Sequence, residues 1–108
     1  MSASANATPE IEVFYAEICG LCHKTMDYLR SRNLPFRARE VKWGGEAFVD
    51  SENARDMFKK CGGAVDFVPQ IFVNGHHIAG WRKLEPMIKS GEFDRLLRET
   101  RPSQKAVA

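Results

Sequence analysis

Asn74-Gly75, set between Val68-Pro69-Gln70-Ile71-Phe72-Val73 and His76-His77-Ile78-Ala79, leaves this part of the chain little choice but a β-hairpin. A two-residue type I′ turn needs positive φ at both central residues, and Asn followed by Gly tolerates that best. The β-branched and aromatic residues of the arms suit buried strands. With 108 residues the chain has core enough for one domain and too little for two, so any chemistry shares a domain with this hairpin.

Upstream, strand and helix patterns alternate. Ile11-Glu12-Val13-Phe14-Tyr15 has the composition of a buried strand. After Cys19, the residues Cys22, Met26 and Leu29 recur at i, i+4 and i+7, an apolar helical stripe that Asn33 and Pro35 close. Pro35 to Val41 alternates as a second strand, which makes a parallel βαβ unit. Gly44-Gly45 breaks the pattern. From an N-cap at Asp50 or Ser51, the residues Ala54, Met57, Phe58 and Cys61 mark a second amphipathic helix, stopped by Gly62-Gly63.

Beyond the hairpin, Gly80 ends the strand, and Leu84, Met87 and Ile88 form a third helical stripe closed by Gly91. Pro86 is tolerable only near that helix's first turn. Phe93, Leu96 and Leu97 mark a short last helix. The order βαβαββα with a terminal helix predicts an α/β fold, a mixed sheet covered on both faces. The domain is expected to span residues 10–100, with a disordered tail at 1–9 and a flexible one at 101–108.

Composition narrows the function. The chain is 44% hydrophobic and 28% charged, with a net charge of +2 and its cations spread among acids. That is no basic stripe for nucleic acid. No stretch approaches the roughly 18 apolar residues of a membrane helix. Met1-Ser2-Ala3-Ser4-Ala5-Asn6-Ala7-Thr8 lacks the cationic start and apolar run of a secretory signal, so a cytoplasmic monomer is expected. In a reducing compartment three cysteines argue against a structural disulfide framework and point to reactive thiols.

Cys19-Gly20-Leu21-Cys22 sits where a strand feeds a helix. Two residues three apart on a first helical turn share a face, so their sulfurs can bond. The unpaired N–H groups and helix dipole there favour a thiolate on the first cysteine. Cys19 is therefore expected to be the exposed nucleophile, and Cys22 the more buried thiol that resolves its mixed disulfides.

Other readings of these residues stay open. With His23 the motif spells Cys-x-x-Cys-His, the pattern of c-type haem attachment, although the hairpin and βαβ order are foreign to small helical cytochromes. Zinc could draw on Cys19, Cys22, His23 and His76 or His77, but only one paired ligand turn exists, so no metal site is assigned. Cys61 reads as a buried core thiol. His76 and His77 alternate across a strand and are not expected to be ligands. Arg95, Arg98 and Arg101 read as a solvated helix face. Trp81 is read as packing rather than as a substrate platform.

Strand-Cys-x-x-Cys-helix, followed by Val68-Pro69-Gln70-Ile71-Phe72-Val73-Asn74-Gly75-His76-His77-Ile78-Ala79-Gly80 and by Ser90-Gly91-Glu92-Phe93-Asp94, resembles the glutaredoxins over about residues 11–98. The resemblance implies a thioredoxin-like fold with a central four-stranded mixed sheet flanked by helices. It implies a dithiol disulfide oxidoreductase with Cys19 and Cys22 as catalytic residues, glutathione as cosubstrate, and protein disulfides or glutathione mixed disulfides as substrates. The Val68-Pro69 bond would be cis, and the Val68 backbone would hold a cysteinyl substrate beside Pro69, Gly80, Trp81 and Arg82.

Three positions depart from the family pattern. Ala16 stands where a lysine is usual, Gly20-Leu21 replaces the frequent Pro-Tyr, and Arg82-Lys83 replaces residues that are often acidic. Trp81-Arg82 and Cys22-His23 also look like the redoxins that serve ribonucleotide reductase and are recharged by thioredoxin reductase. Some glutaredoxins without proline between the cysteines bridge a 2Fe-2S cluster between two chains, which makes a cluster carrier the further alternative.

Overall fold

The computed structural model describes residues 8–99; the predicted tails fall outside the described residues except for Thr8 and Pro9. Four strands, β1 (Ile11–Tyr15), β2 (Arg37–Glu40), β3 (Gln70–Val73) and β4 (His76–Ala79), form one sheet in the order β2-β1-β3-β4. β1 runs parallel to β2, with Val13 opposite Ala38, and antiparallel to β3, with Val13 opposite Ile71. β3 and β4 are the two arms of the hairpin, and Asn74 and Gly75 hold φ of 51° and 88° at its turn.

The helices are α1 (Gly20–Ser31), α2 (Glu52–Cys61), α3 (Trp81–Ser90) and α4 (Glu92–Arg98). Alternation along the strands sends side chains to two cores. On one face, Ile11, Val13, Ile71 and Ile78 pack with Met26 and Leu29 of α1, Leu84 of α3 and Phe93 of α4. On the other, Phe14 and Phe72 meet edge to face, with centroids 6.0 Å apart, and pack with Ala54 and Met57 of α2. The sheet is thus covered on both faces, as the sequence predicts.

Local signals end the elements where the sequence places them. Ser51, not Asp50, caps α2: its side chain accepts the Ala54 N–H at 3.0 Å, while Asp50 pairs with Arg55. Asn33 takes a φ of 57° after α1, where the Leu34 N–H returns to the Leu29 carbonyl at 3.0 Å.

Two expectations are corrected. β2 begins at Arg37 and not at Pro35, which has no N–H to give to a ladder. Pro86 lies in the interior of α3 and not in its first turn, because the helix begins at Trp81, ahead of the Leu84 stripe. The missing donor at Pro86 therefore removes one bond, to the Arg82 carbonyl, from a helix anchored by buried Trp81 and Leu84.

Candidate active site

Cys19 is the N-cap of α1, the position a Ser, Thr, Asp or Asn commonly fills. Its sulfur accepts the Cys22 N–H at 3.0 Å. A turn that presents it is closed by the Cys19 N–H donating to the Ala16 carbonyl at 3.0 Å, and Ile18 stands 84% exposed at the tip. His23 secures the same turn: its Nε2 lies 2.8 Å from the Glu17 carbonyl oxygen, which only accepts, so this nitrogen carries the proton. Cys22 is fully buried in the α1 face of the core, whereas Cys19 is half-buried. The two are joined as a disulfide with Cα atoms 5.2 Å apart.

The sulfur of Cys19 faces the start of β3. It lies 3.6 Å from the Val68 carbonyl oxygen, and the Val68-Pro69 bond is cis. Beside it lies a groove of about 900 Å³ whose lining includes Leu21, Phe67, Val68, Gly80, Trp81 and Arg82. Gly80 has φ +93°, and a Cβ there would lie 3.3 Å from the Phe67 ring. As N-cap of α3 it offers no side chain to the first N–H groups of that helix. Trp81 is 9% exposed, edge to face with Tyr28, under the Lys24 ammonium at 5.3 Å; it packs, and also closes the groove.

Val68, Pro69, Gly80, Trp81 and Arg82 therefore line one opening, and Cys19, bonded to Cys22, lies beside it with its sulfur against the Val68 carbonyl. The other cysteine and the paired histidines do not join them. Cys61, read as a buried core thiol, packs against the Phe14–Phe72 core but is only half-buried at the last residue of α2, and burial pushes its thiol pKa up. Its sulfur is 3.7 Å from His77 Nε2. His76 pairs with Glu99 at 2.9 Å. The histidines a zinc site would draw on thus have other partners, and among the described residues no group of three or more His, Cys, Asp or Glu could hold a metal ion.

Two neighbours of the site escaped the sequence reading. His23 entered the sequence reading through haem, zinc and redoxin spellings and not as a brace of the Cys19 turn, and Gln70 only as a strand residue. Gln70 is fully buried, donates from its Nε2 to the Phe67 carbonyl at 2.9 Å, and has its Oε1 2.7 Å from His77 Nε2. A glutamine in the middle of an otherwise apolar run after Pro69 was the available signal.

The profile of the family described as Glutaredoxin matches residues 11–78. The chain belongs to the glutaredoxin family. Glutaredoxin 3 of Escherichia coli (strain K12) is 32% identical over 88 residues, covering 82% of this chain and 96% of that protein. Glutaredoxin 1 of Rickettsia typhi is 30% identical over 95 residues, covering 88% and 85%. Among solved structures, a dithiolic glutaredoxin of Trypanosoma brucei brucei superposes with a TM-score of 0.62 at 25% identity, over 90% of this chain and 95% of that one. A buckwheat glutaredoxin–glutathione complex shares the fold, with a TM-score of 0.62 at 17% identity, over 88% and 83%.

Glutaredoxins belong to the thioredoxin superfamily, and the paired Cys19 and Cys22 make this member a thiol–disulfide oxidoreductase. Among the described residues, no helix is long and apolar enough to cross a membrane.

Proposed function

We propose that this glutaredoxin reduces protein disulfides and glutathione mixed disulfides by a dithiol route, with Cys19 as nucleophile, Cys22 as resolving thiol and glutathione as electron donor. The observation that carries this is the seat of the Cys19 sulfur, on the capping N–H of α1 and 3.6 Å from the Val68 carbonyl at the mouth of the groove. An N–H and a helix dipole aimed at that sulfur favour its thiolate, both as attacker and as leaving group.

The Cys19 thiolate attacks one sulfur of a substrate disulfide, bonds to it, and expels the other as a thiolate that takes up a proton. The buried Cys22, deprotonated, then attacks Cys19 Sγ, forming the intramolecular disulfide and releasing the second substrate thiol. Two glutathione thiols reverse the sequence: the first opens the pair as a mixed disulfide on Cys19, and the second leaves as glutathione disulfide. The Val68 backbone would pair with the substrate's cysteinyl backbone. Arg82 and Lys83, on the uncapped first turn of α3, would meet a carboxylate there.

The test is turnover of a small glutathione mixed disulfide with NADPH, supplied through glutathione and its reductase or through thioredoxin reductase. Glutathione-dependent turnover that Cys19→Ser abolishes, and that Cys22→Ser retains for the mixed disulfide alone, is the expected result. Full turnover by Cys19→Ser would overturn the mechanism. Support from thioredoxin reductase alone would replace glutathione as donor and favour the redoxins of ribonucleotide reductase, which Trp81-Arg82 and Cys22-His23 also resemble.

A further inference from the structure

Gln70 has no place in the disulfide chemistry, yet it is a fully buried amide with both ends engaged. The Phe67 carbonyl can only accept, so the atom facing it at 2.9 Å is the Gln70 amide nitrogen. The amide oxygen is thereby turned to His77, 2.7 Å away. An oxygen of this kind also only accepts, so His77 Nε2 carries the proton and donates. The imidazole is itself held, stacked on Phe72 with centroids 4.7 Å apart and planes 10° apart. A directed chain results: His77 Nε2–H to Gln70 Oε1, then Gln70 Nε2–H to the Phe67 carbonyl.

The end of that chain is one atom from the substrate loop. The Phe67–Val68 peptide is trans, since Val68-Pro69 is the cis bond found among the described residues. In a planar trans peptide the C=O and N–H point in opposite directions. Holding the Phe67 carbonyl inward against Gln70 therefore turns the Val68 N–H outward, on the groove side. No bond among the described residues uses that N–H, while the Val68 carbonyl already faces the Cys19 sulfur.

We propose that Gln70, backed by His77, is a positioning residue that aims the Val68 N–H at the cysteinyl carbonyl of an incoming disulfide. It touches neither the sulfur nor the substrate. The proposal rests on the function proposed above, because it needs a substrate backbone paired with Val68. Without Gln70 the Phe67 carbonyl loses its buried donor and the peptide plane is free to rotate. The loss then falls on substrate docking, with the Cys19 thiolate, capped by α1, left as it was.

The experiment compares wild type with Gln70→Leu, Gln70→Glu and His77→Phe. It measures KM and kcat for a glutathione–cysteinyl mixed disulfide, the Cys19 thiolate titration by absorbance at 240 nm, and the denaturant midpoint. Gln70→Leu is expected to raise KM about tenfold, the loss of one buried hydrogen bond, with kcat and the Cys19 titration within twofold and half a pH unit of wild type. Gln70→Glu, which keeps an acceptor for His77 but loses the donor to Phe67, should match it. His77→Phe, at a ring with an edge in solvent, keeps the stacking on Phe72 and should raise KM about threefold, a variant that serves even where Gln70→Leu does not fold. A lowered midpoint with unchanged KM in the folded variants would overturn the proposal and leave Gln70 a structural residue. Absence of glutathione-linked turnover in wild type would instead overturn the function proposed above; KM is then read on a protein disulfide, where the same rise is expected.

Discussion

Glu12 and Arg39, on adjacent parallel strands, meet at 2.6 Å between Oε2 and Nη1 on the α2 side of the sheet, where Glu12 is only 7% exposed. Lys60, from the end of α2, reaches the other carboxylate oxygen at 2.5 Å. The trio ties edge strand, central strand and helix together. Removing Glu12 alone leaves a nearly buried guanidinium with Asp56, at 3.1 Å, as its remaining acid. Glu12→Ala should therefore cost about 2 kcal/mol, below the full penalty for breaking a buried pair because Asp56 and solvent at Lys60 compensate. Glu12→Leu with Arg39→Leu should recover most of it. Urea midpoints check this, and a double variant weaker than the single one would contradict it.

Asn74 ties the hairpin turn to both ends of the domain. Its Oδ1 accepts the Glu10 N–H at 2.8 Å, and its Nδ2 donates to the Leu96 and Glu99 carbonyls at 2.9 and 3.2 Å. Asn74→Ala loses these bonds and puts an ordinary residue at φ 51°, for an expected cost of about 3 kcal/mol. Asn74→Gly relieves the backbone and should lose about 2 kcal/mol. If the glycine variant equals wild type in denaturant, the side-chain bonds contribute nothing.

The same residue shows what the sequence made legible. Asn74-Gly75 announces its turn because φ preference is local, and the Cys19 cap and Ser51 start are legible for the same reason. That Asn74 also holds the chain 64 residues upstream is not legible, because the partner is brought in only by the folded sheet. Glu12 in an apolar strand is likewise determined by Lys60, 48 residues on, and Gln70 after Pro69 by His77 across the hairpin, side-chain pairings that no periodicity reveals. Val68, Pro69, Gly80, Trp81 and Arg82, named beside Cys19, come from the family resemblance; the spacing of the cysteines alone gives the sulfur pair and not a groove.

Burial lowers the pKa of His77 below its ordinary value of 6.5. The unfolded chain then takes up this proton at a higher pH than the folded one does. Folding stability should fall as pH drops below about 6.5 and stop falling below the lowered folded value. The slope is small, because His77 is an exposed residue. Subtracting the stability–pH profile of His77→Phe from that of wild type isolates it from His23 and His76. A difference that stays flat from pH 7 to 5, or rises toward acid, would refute the direction.

Gly80 answers for two features of the groove at once, and a single methyl group tests both. At φ +93° and ψ 164° an L side chain is strained, so Gly80→Ala should cost about 1–2 kcal/mol in denaturant. The added Cβ would also sit 3.3 Å from the Phe67 ring, close enough that the ring must give way. Phe67 is 46% exposed and lines the groove with Val68, so a displaced ring reshapes the approach to Val68. The expected result is a fall of about tenfold in kcat/KM for a glutathione mixed disulfide, since even a 1 Å misplacement can cost more than that. Alkylation of Cys19 by iodoacetamide, a reagent too small to need the groove, should keep its rate. Equal losses in both reactions would mean that the substitution disturbs Cys19 itself and that the Gly80–Phe67 contact does not govern access.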